Sequence, residues 1–189
     1  MDAAQRPAPL VAPASELSSE QSARAQRQIV LPGFGELAQR RLRAARVLVV
    51  GAGGLGSACV PYLVGAGVGT IGIVDDDRVE LSNLHRQVSH GTADIGRLKV
   101  ESLADTARAL DPGVTVIPHI ERLTSGSAPA IHAHYDLVID GSDNFPTRYL
   151  VADASELQGI PLVWGSLLQF YGQVGVSWRP EWPGYRDLF

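Results

Sequence analysis

Apolar and polar residues follow two different periods along this chain, and the changes of period divide it into elements. From Arg46 onward, short and nearly continuous apolar runs occur as "RVLVV", "TIGIVD", "TVIPHI", "DLVID" and "PLVWGS". Between them lie stretches with helical spacing: "LGSACVPYLVGAG", "LKVESLADTARALD", "APAIHAHY" and "FPTRYLVADASELQG". Strands that are apolar on both faces and joined through helices belong to a parallel sheet covered on both sides. The series therefore predicts a doubly wound, Rossmann-like α/β fold with a mostly parallel sheet and flanking helices. The last apolar segment, "FYGQVGVSW", alternates instead, as a strand with one solvated face does, and "RPEWPGYRDLF" reads as loop.

Ahead of this series, Ser18 and Gln21 have capping-box spacing, which predicts a helix carrying "SEQSARAQRQI". A second helix near "ELAQRRLRAA" leads into the first strand. Residues 1–17 are rich in Ala, Pro and Ser and are expected to form a disordered arm, leaving 18–189 as one domain. With 45% apolar residues among 189, the chain can bury one core. Its net charge of -4 provides no basic face for nucleic acid. A single cysteine, Cys59, rules out an internal disulfide or a four-cysteine zinc site and reads as a small core residue. No apolar run approaches the roughly 18 residues of a membrane span, and the N-terminus lacks a basic region followed by an apolar one. A cytoplasmic protein without membrane contact is expected.

Chemistry enters at the first strand-to-helix junction. Gly51, Gly53 and Gly56 satisfy G-x-G-x-x-G directly after a strand and before a helix. In that setting glycines permit a tight turn and close backbone approach, while the helix N-terminus attracts phosphate. Asp75 ends the next strand, where a carboxylate accepts bonds from ribose hydroxyls. A nucleotide site follows.

What continues after Asp75, "DDDRVELSNLHRQ", is more polar than a dinucleotide site requires. Asn83, Arg86 and, farther on, Lys99 suit the charge of a triphosphate. Taken singly, Arg86 also reads as a solvated loop charge and Lys99 as part of an exposed helix face. Asp143, in "DGSDNFPTRYL", stands just beyond a strand's carboxyl end. It suits Mg2+ there, and equally an N-cap ahead of Pro146. The five histidines are scattered; His132 and His134 would point apart on a helix and form no metal pair. A hydride-transfer enzyme would need a nicotinamide pocket and usually a large substrate domain, for which 189 residues leave little room.

The segments "RQIVLPGFGE", "VLVVGAGGLGS", "DDDRVELSNLHRQ", "GRLKVES" and "DGSDNFPTRYL" together closely resemble the adenylyltransferases of the MoeB/ThiF type, relatives of ubiquitin-activating enzymes. The resemblance runs from about Arg24 to the last residue. It implies ATP and Mg2+ binding and adenylation of the C-terminal glycine carboxylate of a ubiquitin-like sulfur carrier, for molybdopterin, thiamine or cysteine synthesis. It implies nucleotide contacts from Gly54 and from Ser82, Asn83, Leu84, His85 and Arg86 of the polar loop. Asp75 would meet the ribose, and Asn83, Arg86 and Lys99 the phosphates. Asp143 would hold the metal, with Asn144 beside it. Arg27 would reach into the neighbouring subunit's site, which implies a homodimer.

The chain departs from that family in three places. Gly184 and Asp187 stand where many relatives have a zinc-binding cysteine pair, so zinc is not expected. Ala152 replaces a usual Asn. Relatives also continue well past the equivalent of Phe189, so this chain is expected to be either a fragment or a nucleotide-binding unit with a reduced partner site. A non-catalytic nucleotide-binding module and a small NAD-dependent oxidoreductase stand as the competing readings.

Overall fold

A computed structural model describes residues 8–180 and 182–189. The first seven residues of the expected arm lie outside these. Residues 8–17 carry no helix or strand, yet Ala14 exchanges two bonds with Arg40, donating to its carbonyl and accepting from its Nε at 2.8 Å.

Helix α1 (Ser19–Ile29) starts at the expected capping box, with Ser18 Oγ accepting from the Gln21 amide and the Gln21 side chain returning to the Ser18 amide. Helix α2 (Gly35–Ala44) packs against it and delivers the chain to β1 (Arg46–Val50). There follow α3 (Gly54–Ala66), β2 (Thr70–Val74), α4 (Lys99–Leu110) and β3 (Thr115–His119). The second half comprises α5 (Ser127–His132), β4 (Leu137–Asp140), α6 (Phe145–Gln158), β5 (Leu162–Leu168) and β6 (Tyr171–Ser177). The sheet order is β3-β2-β1-β4-β5-β6. All pairs are parallel except β5–β6, a hairpin that places the alternating segment on an antiparallel edge.

Because successive side chains of a buried strand point to opposite faces, β1 divides its residues between two cores. Val47 and Val49 join α3 and α4, while Leu48 and Val50 join α5 and α6. Strand order reverses between β1 and β4, which opens a crevice above their carboxyl ends.

Pro61 lies inside α3 and has no amide to give the Ser57 carbonyl one turn earlier. The hydroxyl of Ser89 donates to that carbonyl instead, so the loop before α4 is fastened to α3.

The chain's end is fastened by aromatic rings. Tyr185 packs on Trp164, Phe189 and Tyr149 with centroids 5.4, 4.9 and 5.7 Å away. At the positions where zinc was not expected, the Gly184 amide donates to Asp187 Oδ2 at 2.8 Å and Arg179 pairs with Asp187. Ala152 is buried in the core with Leu162 and Trp164. No helix among the described residues is long and apolar enough to cross a membrane.

Candidate functional site

The crevice is a cleft of about 660 Å³ over the ends of β1, β2 and β4. Its floor is the turn from β1 into α3. Gly51 adopts φ +94°, a left-handed conformation that favours glycine. At Gly56 an added Cβ would stand 1.8 Å from the Gly51 carbonyl oxygen, so only glycine lets the first turn of α3 close over the loop. Gly53 is the N-cap and provides no side-chain acceptor. The first amides of α3 therefore remain available to an anion in the cleft.

Asp75 shapes this floor. Its Oδ2 accepts from the Ala52 amide and its Oδ1 from the Asp77 amide, both at 2.8 Å. Burial raises its pKa, against the two backbone bonds and the Lys99 charge, which lower it. Asp75, Asp76 and Asp77 hold carboxylate oxygens within 4.8 Å of one another. Lys99 relieves that crowding: it is the first residue of α4, and its Nζ lies 2.8 Å from Asp77 Oδ2. It is only 6% exposed, so it is not a solvated helix charge. Arg86 lies alongside Gly54, with its aliphatic stem within 3.8 Å of where a Cβ would stand there, and its guanidinium reaches the Ser82 carbonyl. Asn83 closes a single helical turn by accepting from the Glu80 amide.

The opposite wall shows which residue caps α6. Asn144, not Asp143, caps α6, accepting from the Thr147 amide at 3.0 Å, and Pro146 occupies the first turn behind it. Asp143 is left exposed on the cleft wall, touched by the Asn144 amide group at 3.4 Å. The turn that presents it is held from below. Buried Arg148 donates to the carbonyls of Ser142 and Gly165 at 2.6 and 2.7 Å. Buried Asp140 accepts from the Ser142 amide, and its pKa is raised by burial against bonds from Ser142 and the nearby Arg148 charge.

The cleft thus gathers Gly51, Gly53, Gly54, Asp75, Asn83, Arg86, Lys99, Asp143 and Asn144. Gly56 acts behind it. Ser82, Leu84 and His85 do not line it; Ser82 instead offers its carbonyl to His85 and Arg86, so this stretch forms the back of the loop. Arg27 is exposed in the last turn of α1, away from the cleft of its own chain. The cleft also includes Gln87, Arg148, Leu167 and the segment Glu121–Leu123 after β3, none of which sequence reasoning singled out. Gln87 adjoins the recognised loop and was within reach of the motif; the others carry no local signal.

With this geometry in place, comparison with known proteins is specific. The ThiF family model matches residues 25–189. The chain is 52% identical over 185 residues to the "Probable adenylyltransferase/sulfurtransferase MoeZ" of Mycobacterium tuberculosis, covering 96% of this chain and 47% of that protein. It is 51% identical to the sulfur carrier protein adenylyltransferase of Thermus thermophilus, covering 91% of this chain and 65% of that one. Among solved structures, E. coli tRNA N6-threonylcarbamoyladenosine dehydratase in complex with ATP superimposes with a TM-score of 0.74 at 28% identity, over 78% of this chain and 60% of that one. The chain spans less than two thirds of the length of these relatives. Its match along nearly its whole length, at half of all positions, shows that it belongs to the ThiF family.

Proposed function

We propose that this domain binds ATP with Mg2+ and adenylates the C-terminal carboxylate of a ubiquitin-like sulfur carrier protein, releasing pyrophosphate. The observation that carries this reading is the convergence of three cation-rich or amide-rich elements on one cleft: the α3 N-terminus, Arg86 and Lys99. A triphosphate needs that much compensating charge, and a redox dinucleotide needs less. The Thermus thermophilus relative, named as a sulfur carrier protein adenylyltransferase, supports the substrate class, and the MoeZ relative, named as a probable adenylyltransferase/sulfurtransferase, supports the reaction.

The chemistry requires no side-chain base. A C-terminal carboxylate is already ionised at neutral pH, and its oxygen attacks the α-phosphorus as the bond to pyrophosphate breaks. The domain contributes orientation and charge. Arg86 offers a planar fork and Lys99 a point charge, and the developing negative charge on the departing pyrophosphate is stabilised by both. Lys99 is held by Asp77, and both line the cleft.

Asp143 suits a hard cation, because it is a carboxylate on the cleft wall that the helix cap does not use. Asp143 would hold Mg2+, which when bound would screen the phosphate oxygens. Arg27 faces solvent and has no ion-pair partner among the described residues. It fits the role of a cation supplied to the cleft of a second copy, which makes the working unit a homodimer with two composite sites.

Carrier-dependent exchange of labelled pyrophosphate into ATP tests the reading. Asp143→Ala is expected to reduce exchange by about 100-fold or more while leaving the unfolding midpoint unchanged, since Asp143 is exposed and accepts only a long 3.4 Å bond from the Asn144 side chain. Exchange at the parent rate would remove Asp143 from the mechanism. Binding of reduced nicotinamide dinucleotide without binding of magnesium ATP would overturn the reading as a whole.

A further inference from the structure

One imidazole ties together the two elements that would hold phosphate. His90 is 5% exposed and both of its ring nitrogens are engaged. Nε2 lies 3.1 Å from the Ala52 carbonyl oxygen, inside the glycine loop, and Nδ1 lies 2.8 Å from Ser102 Oγ on α4. A carbonyl only accepts, so Nε2 carries the proton. Ser102 is three residues after Lys99, on the neighbouring turn of the same helix.

We propose that His90 is a positioning residue that aims the glycine loop at phosphate by holding the Ala52 carbonyl. The argument is peptide geometry. In a trans peptide the carbonyl and the following amide point in opposite directions, and the Ala52–Gly53 bond is trans. A donor that draws the Ala52 carbonyl back toward α4 therefore turns the Gly53 amide outward, into the cleft that Gly53 lines. Ala52 is held at both ends, its amide by Asp75 and its carbonyl by His90. Without the second contact the peptide plane could rotate about its neighbours, and Gly51 and Gly53 offer it little resistance.

The residues around His90 act with it. Ser89 donates to the Ser57 carbonyl of α3, and Thr106 of α4 donates to the Ser89 carbonyl at 2.8 Å. Gln87, 3% exposed, packs beside Gly53. Residues 87–90 thus form a strap from the phosphate loop to α4, and His90 is the part that touches the loop itself.

Two substitutions separate the two ring nitrogens. In His90→Gln the side-chain amide nitrogen takes the place of Nε2 and can still donate to Ala52. In His90→Asn it takes the place of Nδ1 and meets only Ser102. The experiment measures binding of ATP and of adenosine by calorimetry, and amide hydrogen exchange across residues 51–56, in the full chain and both variants. His90→Asn is expected to weaken ATP binding about tenfold, the size of one lost hydrogen bond, with adenosine unchanged and loop exchange faster. His90→Gln is expected to remain within about twofold of the parent on every measure. Equal losses in both variants, a parallel loss of adenosine, or unchanged loop exchange in His90→Asn would overturn the proposal. Only the calorimetric arm rests on the ATP reading. A parent chain that binds no ATP would sink that reading, and exchange at the loop would still decide the role of His90.

Discussion

The two faces of the sheet are built from different materials. Between the sheet and α3 and α4 the core is Val, Ile, Leu and Ala, including Val49, Val60, Ile73, Val100 and Leu103. Its buried polar groups sit at the ends: Ser57, Gln87, His90, Lys99 and Ser102 around the glycine loop, and Gln39 donating to the Ala66 carbonyl where α3 stops. The opposite face, under α5 and α6, places His132, Asp140, Arg148 and Ser155 among Tyr135, Trp164 and Tyr185. An aliphatic core is indifferent to pH and depends on volume. A core with buried ionisable groups depends on pairing and proton uptake. The first face carries the loop that would meet phosphate and the second carries Asp143, so the halves of one cleft should fail under different conditions.

The largest break in that contrast comes at Arg148. Its guanidinium holds the Ser142 and Gly165 carbonyls and offsets the buried Asp140 charge. Arg148→Met strands both carbonyls and removes the charge nearest Asp140, and each buried acceptor left without its donor costs about 1–3 kcal/mol. Urea unfolding should show a loss of that order, and the double variant Arg148→Met, Asp140→Asn should recover part of it. Loss of less than about 1 kcal/mol would mean that the polar face is held by its aromatic residues alone.

The second effect appears only in acid. Burial lowers the pKa of His132 from 6.5 to about 4, so the native state keeps the ring neutral. The unfolded chain takes up a proton near 6.5, and the folded chain resists until about 4. Stability contributed by the neutral ring is complete above the unfolded value and falls as pH drops through this window, by about 3 kcal/mol at its end. The His132→Leu variant should show a flatter dependence of the urea midpoint on pH between those limits. The aliphatic residues that fill the other face carry no titratable group.

Much of this architecture was legible from the order of residues because strands buried on both faces are apolar throughout, and the glycine loop has its own spacing. The roles of single polar residues were less legible, because they depend on which neighbour claims a bond first. Asp143 and Asn144 are adjacent and each could cap α6; the helix takes Asn144, and Asp143 stands uncommitted to the cap on the cleft wall. Lys99 has the look of a solvated helix charge until folding brings Asp77 to it across 22 positions. Arg148 and His132 lie in helical segments where a charge normally faces water, and nothing local marks them as buried. Glu121–Leu123 reach the cleft only because β3 lies at the sheet's edge beside β2.

The smallest effect sharpens the comparison by its sign. Burial raises the pKa of Asp140, while the Ser142 bonds and the Arg148 charge pull it down again, so the net displacement is an offset between opposing influences. A carboxyl whose folded value lies above its unfolded value binds its proton more tightly in the native state. Its contribution to stability therefore grows as pH falls through the window just above 3.8 and is lost as pH rises, opposite to His132. Asp140→Asn removes this counterweight, keeps an oxygen to accept from the Ser142 amide, and should make the acid decline steeper than in the parent. The pairing of Asp140→Asn with His132→Leu should bring the pH dependence of the polar face close to that of the aliphatic one. A parent-like slope in Asp140→Asn would show instead that the nearby Arg148 charge and the Ser142 bonds keep Asp140 ionised throughout, beneath the turn that presents Asp143.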